Sequence, residues 1–323
     1  MFSSKNSSIV GKSARMHVIC FMMAVCGMMA AVSCWYAPEE ADEGAEVPSW
    51  YELPGMDLSA DPEGYLVSSS DPTQYYAWHY FTMAGKEYRN YTVCFSSEHH
   101  APVWVAAPRH RMYSRPGVRR TEAYGKDPLI PADLQYRSGR GGGKCNRGHL
   151  LTSGDRLCIS GANVQVFYYS NIAPQIMEGF NNGEHAGWNI LEDFIDTQVC
   201  PDTLYQVIGV YYEDFTDGYG NRVKPYRLPS YGGRSDVDRP TMFYYAVLRT
   251  KAGNTRKALS ECSSDELKCA AFLRCNTGKL EDQAVTKAEM MSIAELEKLT
   301  GLRFFVNVPQ APKSVCRPSD WGL

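Results

Sequence analysis

The stretch CNRGHLLTSGDR, residues 145–156, contains a single histidine among charged and small residues. His149 follows Arg147 and Gly148, and the stretch lacks the apolar periodicity of a core helix or strand. A histidine with a near-neutral pKa can take a proton from water, and the planar donors of an arginine suit phosphate. These residue types indicate acid–base chemistry on an anionic substrate, although an isolated Arg-Gly-His is more often a turn with a structural histidine.

Asparagine and glutamate residues follow at positions where the periodicity changes. Apolar alternation in residues 163–175 predicts a strand, and apolar residues at helical spacing predict a helix within residues 180–199. The predicted order is a strand ending in His149, a second strand, and a helix that carries Asn181 and Glu192. Such a hairpin and helix can bring these three side chains together.

The local charge balance differs from that of the whole chain. Residues 101–160 contain eleven basic and four acidic residues, whereas the complete 323-residue chain has a net charge of −3. A local positive patch on an acidic protein indicates a polyanionic ligand. The alternative is a solvated loop whose charges pair with acidic residues elsewhere.

Long apolar segments predict the framework around these residues. Four segments read as strands rich in aromatic and β-branched residues: YTVCF (91–95), PVWVAA (102–107), YQVIGVYY (205–212) and TMFYYAVLRT (241–250). Near the end, Ser292 and Glu295 form a capping box and Gly301 is placed to end a helix. Runs of strands with few alternating helices predict an α+β fold with a mixed sheet.

The N-terminal segments have the composition of a leader and a linker. Basic residues precede an apolar run from Val18 to Val32, and small residues follow, which predicts an export signal over residues 1–34. Cys34 directly after Ser33 is also typical of a lipoprotein signal, so simple secretion and a lipid anchor at Cys34 are both open. Residues 35–74, acidic and rich in Pro and Ser, predict a solvated linker.

Eight cysteines remain after the predicted leader, and an even number in an exported chain predicts disulfide bonds. They are Cys94, Cys145, Cys158, Cys200, Cys262, Cys269, Cys275 and Cys316. Their spacing leaves the connectivity open. Cys145 and Cys158 flank the histidine motif, so a bond between them would brace it.

Four motifs in order, NRGHLLTSGDR, FYYSNIAPQ, FNNG and LED, resemble the DNA/RNA non-specific endonucleases, the sugar-non-specific branch of the ββα-metal (His-Me finger) nucleases. Residues 89–107 resemble the opening strands of this family, and residues 294–309 resemble its closing helix and strand, so the similarity spans about residues 75–312. The resemblance implies a ββα-metal fold, with a mixed, mainly antiparallel sheet flanked by helices, over a domain of residues 75–323.

The resemblance also implies roles at the centre of the site. His149 matches the general base, and Asn181 matches the ligand of a divalent metal, Mg²⁺ with Mn²⁺ or another divalent ion as alternatives. A hard ion such as Mg²⁺ keeps most of its waters, so one amide oxygen can suffice as a protein ligand. Glu192 matches the acid that holds the metal's water.

Further roles concern binding of the phosphate. Arg147 matches the arginine of the motif, and Arg120 matches an upstream arginine that stabilises charge in the transition state, with Arg119 as the alternative. Asn171 matches an asparagine that orients the histidine or the phosphate.

Two departures from the family pattern concern the metal side. Asn146 stands where the motif has Asp, which would alter the basicity of His149 without removing the chemistry. Three more residues than the family spacing lie between Asn181 and Trp188, including Glu184 and His185. If they fall within the helix, the ligand is either Asn181 or Asn182.

The sequence therefore predicts an exported, metal-dependent endonuclease that hydrolyses DNA and RNA with little sequence preference, and the resemblance implies that it leaves 5′-phosphate ends. Its expected location is periplasmic, anchored to the outer membrane or extracellular, and the family resemblance allows a homodimer. The alternative is a non-catalytic nucleic-acid-binding surface lipoprotein in which Asn146 and the extra residues mark a decayed site.

Overall fold

A large antiparallel sheet organises residues 48–135, 144–229 and 236–323, which are the residues that the computed structural model describes. The strands in these ranges are β1 (Leu58–Ala60), β2 (Leu66–Ser68), β3 (Gln74–Met83), β4 (Lys86–Ser96), β5 (Ala101–Arg109), β6 (Cys145–His149), β7 (Ile172–Ile176), β8 (Leu204–Tyr211), β9 (Phe215–Thr216), β10 (Arg222–Val223), β11 (Tyr226–Leu228), β12 (Val237–Arg239), β13 (Met242–Thr250), β14 (Leu267–Cys275) and β15 (Met290–Met291). Nine of them form one sheet in the order β1-β2-β3-β4-β5-β8-β13-β14-β15.

The helices of the described residues are short. They are α1 (Arg111–Ser114), α2 (Ser160–Gln165), α3 (Gly187–Thr197) and α4 (Ile293–Thr300). A wide helical turn covers Met177–Asn181, and single 3₁₀ turns cover Gly154–Arg156, Tyr169–Asn171, Leu259–Glu261, Ser264–Glu266, Gly278–Leu280, Lys287–Glu289 and Pro318–Trp321. No helix of the described residues is both long enough and apolar enough to cross a membrane.

The four strands predicted from apolar segments are confirmed. Strands β4 and β5 pair with each other, and β8 pairs with both β5 and β13 at the centre of the sheet. Tyr244 lies opposite Gly209, and a side chain at Gly209 would overlap the Tyr244 ring. The glycine therefore lets a fully buried tyrosine lie flat across the central strands.

Each face of the sheet carries its own hydrophobic core, because successive residues of a strand point to opposite sides. Phe243 and Tyr245 of β13 pack with Trp188 of α3, and the Trp188 and Tyr245 rings stack with centroids 5.2 Å apart. Tyr244 packs into the other core, with Leu296 of α4. Burial of each such side chain stabilises the fold by about 1.5–3 kcal/mol.

The second half of the predicted linker is part of the fold. Strands β1 and β2 extend the sheet, Leu53 is fully buried in a core, and the buried carboxylate of Glu52 pairs with Arg89 at 2.7 Å. The prediction of a solvated segment as far as residue 74 is therefore wrong for residues 50–68. Residues 50–68 contain few apolar residues, so the sequence pattern did not indicate strands β1 and β2, which lie at the edge of the sheet.

Two further sequence predictions need correction. Residues 160–165 form α2, and the strand expected over residues 163–175 is only β7, because a short apolar run fits a helix as well as a strand. The capping box of Ser292 and Glu295 and the end of α4 at Gly301 are confirmed. The expected closing strand within residues 302–309 does not form, and Phe304 and Phe305 fill a core from an irregular segment instead.

The structure shows no disulfide bond in the ranges it describes. The predicted disulfides, including a Cys145–Cys158 bond, are therefore absent from this structure. The predicted signal over residues 1–34, with Cys34, lies outside the described residues, as do Arg137 and Arg140 of the basic segment.

Candidate active site

His149 ends a two-stranded ribbon formed by β6 and β7. The ribbon is antiparallel, with His149 opposite Ile172 and Arg147 opposite Pro174. Since side chains alternate along a strand, His149 and Arg147 share one face of the ribbon, while Asn146 and Gly148 share the other. A side chain at Gly148 would overlap the buried side chain of Gln175 on the neighbouring strand, so this glycine leaves room for Gln175.

The imidazole of His149 lies against aromatic rings. Its ring centroid is 4.9 Å from that of Phe167, edge to face, and 5.8 Å from that of Tyr124. Its Nε2 atom is buried and has no hydrogen-bond partner among the described residues. Burial, together with the positive charges of Arg120 and Arg147, lowers the pKa of His149 to about 3. The histidine is therefore neutral at pH 7 and can accept a proton at Nε2.

Two arginines surround Tyr124 next to this histidine. The guanidinium of Arg147 lies 3.8 Å from the centre of the Tyr124 ring. Arg120 donates to the Tyr124 hydroxyl at 3.2 Å and to Glu122 at 2.8 Å, and its guanidinium lies 4.8 Å from the Phe167 ring centre. The structure thus brings Arg120 to the histidine cluster as the sequence predicted, and these contacts favour it over Arg119.

Asn171 acts on the backbone and is completely buried. Its Nδ2 donates to the carbonyls of Leu151 at 2.9 Å and Val166 at 2.7 Å, and its Oδ1 accepts from the Leu151 amide at 2.9 Å. Its side chain is therefore fully occupied in fixing the segment that follows His149. These bonds join Asn171 to Leu151 and Val166, and they leave no donor for a phosphate.

Asn181 lies in the turn Met177–Asn181, before α3 and not on it. Gly179 within this turn has a φ of 70° and packs against the backbone of Gly278, which a larger side chain would prevent. The added length, which includes Glu184 and His185, lies between Asn181 and the start of α3 at Gly187. The expectation that Asn181 lies on the helix is therefore wrong, and the added residues leave most of the helix unchanged.

Amide side chains converge beside Asn181. Asn146 donates to Oδ1 of Asn181 at 3.0 Å and to Oδ1 of Asn182, and Asn181 donates to Oε1 of Gln175. The structure keeps both Asn181 and Asn182 as candidate ligands, because the oxygens of both point to one donor group. In the described residues no group of three or more His, Cys, Asp or Glu side chains could hold a metal ion.

This amide cluster fits a hydrated divalent cation. Two neutral oxygens converge where Asn146 now places an N–H donor, and rotation of the Asn146 amide would turn a third oxygen to the same point. Few protein ligands and no charged one suit an ion that keeps most of its waters. Asn181 and Asn182 are thus the residues that would hold the metal.

Glu192 lies half-buried on α3. Burial, together with the negative charges of Asp155 and Asp196, raises the pKa of Glu192 to about 8. Arg109 pairs with Asp155 at 2.6 Å and with Asp196, so its positive charge is shared between these two carboxylates. Glu192 is therefore protonated at pH 7 in this structure, where the expected role was that of an acid holding the metal's water.

Three residues of this site were not found from the sequence: Tyr124, Phe167 and Gln175. Tyr124 contacts both arginines, Phe167 covers His149, and Gln175 accepts from Asn181. Tyr124 is four residues after Arg120 and Gln175 is four after Asn171, so their nearness to motif residues was the available signal.

Comparison with known proteins agrees with this geometry. The sequence model of the DNA/RNA non-specific endonuclease family matches residues 75–311. The human mitochondrial nuclease EXOG is 26% identical over 247 residues, covering 73% of this chain and 62% of the relative. The mitochondrial nuclease 1 of Schizosaccharomyces pombe is 27% identical over 206 residues, covering 62% of this chain and 59% of the relative. The chain thus spans about three fifths of the length of these relatives.

A solved structure shows the same fold. A chain in the crystal structure of the EndoG/EndoGI complex superposes with a TM-score of 0.54 at 20% identity, covering 72% of this chain and 89% of that chain. The α+β architecture with its large antiparallel sheet and its ribbon followed by a helix agrees with the predicted ββα-metal fold. The chain therefore belongs to the DNA/RNA non-specific endonuclease family.

Proposed function

We propose that this protein is a metal-dependent endonuclease that hydrolyses the phosphodiester bonds of DNA and RNA. The observation that carries the proposal is the buried, unpartnered Nε2 of His149 beside two arginines. A neutral base and fixed positive charge are what the attack of water on a phosphodiester requires. Family membership supports the same reaction class.

His149 acts as the general base. Its Nε2 takes a proton from the attacking water, and the water oxygen bonds to phosphorus. The bond from phosphorus to the 3′ oxygen breaks and that oxygen takes a proton from solvent, so the products are a 5′-phosphate and a 3′-hydroxyl. The pKa of His149 is held low by burial and also by Arg120 and Arg147 in the absence of substrate. A bound phosphate offsets these positive charges, so we expect the pKa of His149 to rise when substrate binds, which makes it a stronger base.

Arg147 and Arg120 bind the phosphoryl oxygens. Tyr124 holds Arg147 against its ring and Arg120 by its hydroxyl, so both guanidinium groups are positioned before the substrate arrives. A divalent cation held by Asn181, with Asn182 as the alternative ligand, would stabilise charge on the phosphate and on the leaving oxygen. Mg²⁺ suits these amide ligands, and Mn²⁺ is the second choice.

Low sequence preference follows from the contacts that this site can make. Arginines that bind phosphate fix the position of the strand without reading base edges.

We extend the proposal to cellular location. The order of basic, apolar and small residues in residues 1–34 is typical of an export signal, and a lipid anchor at Cys34 is one form of such export. Assembly as a homodimer is part of the proposal through the family resemblance alone.

The test is digestion of plasmid DNA and total RNA by the full-length protein with Mg²⁺, with EDTA, and with His149→Ala. We expect both polymers to be cut only with metal, and the variant to be slower by about 10²–10⁴-fold. His185→Ala is the matched control, because His185 is an exposed histidine that pairs with Asp282.

Two outcomes would contradict the proposal. Cleavage by His149→Ala at the rate of the parent protein would remove the histidine from the mechanism. Salt-sensitive DNA binding by the folded protein, with no cleavage under any metal condition, would instead support the nucleic-acid-binding protein with a decayed site.

A further inference from the structure

A basic groove lies beside the catalytic ribbon and takes no part in the chemistry described above. Its cavity has a volume of about 490 Å³. The residues of the groove that matter here are Ile176, Arg222, Lys224, Tyr226, Arg239 and Asn276. We refer to it as the β10–β12 groove, since most of these residues lie on or next to those strands.

Positive charge in the β10–β12 groove is only partly neutralised. Arg222 donates from Nε to Asp214 at 2.8 Å, which offsets its charge. Lys224 is exposed, and within the described ranges neither Lys224 nor Arg239 pairs with a carboxylate. The Nε of Arg239 is buried and has no hydrogen-bond partner among the described residues. Two cations without a direct ion pair thus line one cavity, with the charge of Asp214 acting on Arg222 first and on Lys224 more weakly. This excess of positive charge favours an anionic ligand.

An exposed aromatic ring lines the same cavity as these cations. Tyr226 is 46% exposed, which is the largest exposed fraction among the large apolar side chains of the described residues. The guanidinium of Arg239 lies 5.0 Å from the centre of its ring. An aromatic ring held at the surface next to cations is the usual platform on which nucleic-acid bases stack.

The groove is joined rigidly to the ribbon that carries His149. Asn276 is almost completely buried, and its Oδ1 accepts from the amide of Ile176 at 2.9 Å. Its Nδ2 donates to the carbonyls of Pro174 at 3.1 Å and Pro240 at 2.9 Å, which ties β7 to the residue that follows Arg239. One buried side chain therefore fixes the groove relative to the catalytic strand pair.

The groove and the catalytic histidine also lie on the same side of the ribbon. His149 pairs with Ile172, and Ile176 is four residues further along β7, so the groove begins about 13 Å from the level of His149. One face of the ribbon carries the side chains of His149, Arg147, Ile172 and Ile176. Residues two positions apart on a strand, and residues paired across the two strands, point to the same face. A strand bound at His149 can therefore continue into the groove.

We propose that the β10–β12 groove binds a single strand of the nucleic-acid substrate several nucleotides from the scissile phosphate. Lys224 and Arg239 bind its phosphates, and Tyr226 stacks on one of its bases. This inference rests on the proposed function for the identity of the ligand. A single strand is favoured over a duplex because bases must be unpaired to stack on Tyr226.

The test measures binding of a fluorescein-labelled 20-nucleotide single strand by fluorescence anisotropy, in full-length protein carrying His149→Ala so that the probe stays intact. We expect Tyr226→Ala to weaken binding at least about fivefold and Tyr226→Phe to bind like the parent. Lys224→Ala should lower the slope of log K against log salt by about 0.7, since one phosphate contact is lost. The same probe as a duplex should be insensitive to Tyr226→Ala.

Lys251→Ala is the matched control for charge. Lys251 is exposed and directly follows β13, whereas Arg239 lies just before that strand, so about 30 Å separate the two sites. We expect this variant to bind like the parent. Unchanged binding and unchanged salt slope in both Lys224→Ala and Tyr226→Ala would overturn the proposal, as would an equal loss of duplex binding in Tyr226→Ala.

A second readout separates this inference from the proposed function. In protein with an intact His149, we expect Lys224→Ala and Tyr226→Ala to raise KM for the 20-nucleotide strand and to leave kcat unchanged, and to have no effect on a tetranucleotide too short to reach the groove. Cleavage of the 20-nucleotide strand by both variants with an unchanged KM would contradict the binding role of the groove and leave the nuclease activity standing. If the parent protein cleaves no substrate but Lys224→Ala and Tyr226→Ala still weaken binding of the strand, the nuclease activity is contradicted and the groove is supported.

Discussion

The two faces of the ribbon β6–β7 differ in charge although they are built from adjacent residues. One face carries Arg147 and His149, next to Arg120, and is positive. The other carries Asn146 and lies against the amides of Asn181, so it is polar without a formal charge. The alternation of side chains in the stretch CNRGH produces this separation with only five residues.

The difference indicates a division of labour. A positive face can hold phosphate and keep a histidine neutral, because like charges disfavour its protonation. A neutral face of amide oxygens can hold a cation that has kept its water, without binding it so tightly that the phosphate is excluded. Substitutions on the first face should therefore change the rate at every metal concentration, and those on the second should change the metal requirement.

The largest effect expected from this comparison, beyond loss of the histidine itself, is that of Arg147→Ala. Removing a preorganised donor to the phosphoryl group should lower kcat by about 10²–10³-fold at all Mg²⁺ concentrations. Arg147→Lys should restore little, because a lysine has no planar fork and cannot stack on Tyr124 in the same way. Steady-state cleavage of a defined oligonucleotide across a metal titration measures both.

Arg119→Ala provides the control, since the contacts to Tyr124 and Phe167 are made by its neighbour Arg120. We expect the control to keep the parent rate. If Arg147→Ala were rescued by raising the Mg²⁺ concentration, the two faces would not act separately and the comparison would fail.

Much of the sheet could be predicted from the sequence. Strands β4, β5, β8 and β13 are long, apolar and β-branched, and central strands buried on both faces require such residues. The cap of α4 was also predictable, because Ser292 and Glu295 satisfy each other's backbone donors locally. The order of the histidine, asparagine and glutamate motifs predicted the ribbon and the helix that follows it.

The features that the sequence did not predict depend on contacts that form only when the chain folds. Nothing near Glu52 in the sequence indicates its buried pairing with Arg89, which draws the supposed linker into the fold. Residues 160–165 form a helix partly because buried Asn163 donates to the carbonyls of Ser153 and Arg156, which lie in another turn. The raised pKa of Glu192 likewise arises from burial and from Asp155, a residue of the histidine motif that packs near it only after folding.

A smaller effect is expected from Asn146→Asp on the amide face. A carboxylate would replace the N–H donors that now face Asn181 and Asn182 and would attract a cation to the same point. Supporting groups around a metal ligand typically change metal affinity by about tenfold or more, so the Mg²⁺ concentration for half-maximal cleavage should fall about tenfold. A metal titration of cleavage rate measures the shift.

Asn254→Asp adds the same charge at an exposed position beyond β13 and should leave the metal requirement unchanged. Asn181→Ala and Asn182→Ala then separate the two candidate ligands, because the true ligand should show the larger increase in metal requirement. An unchanged requirement in Asn146→Asp would mean that the amide cluster does not face the metal.

The smallest effect on rate is expected from Glu192→Gln, which tests whether Glu192 of α3 works as an ionised carboxylate. The pKa of Glu192 is raised from 4.5 to about 8, so at pH 7 a neutral amide replaces a neutral acid and cleavage should stay close to that of the parent.

The pH dependence of the melting temperature responds more clearly to Glu192→Gln than the cleavage rate does. Between about pH 5 and pH 8 the folded protein keeps a proton that the unfolded chain releases, so the free energy of unfolding falls as pH rises. Glutamine does not titrate, and the melting temperature of Glu192→Gln should therefore fall less than that of the parent across this window. Asp193→Asn, at the exposed neighbouring position, should follow the parent curve. A large loss of cleavage at pH 7 in Glu192→Gln, with an unchanged melting profile, would show that Glu192 works as an ionised carboxylate.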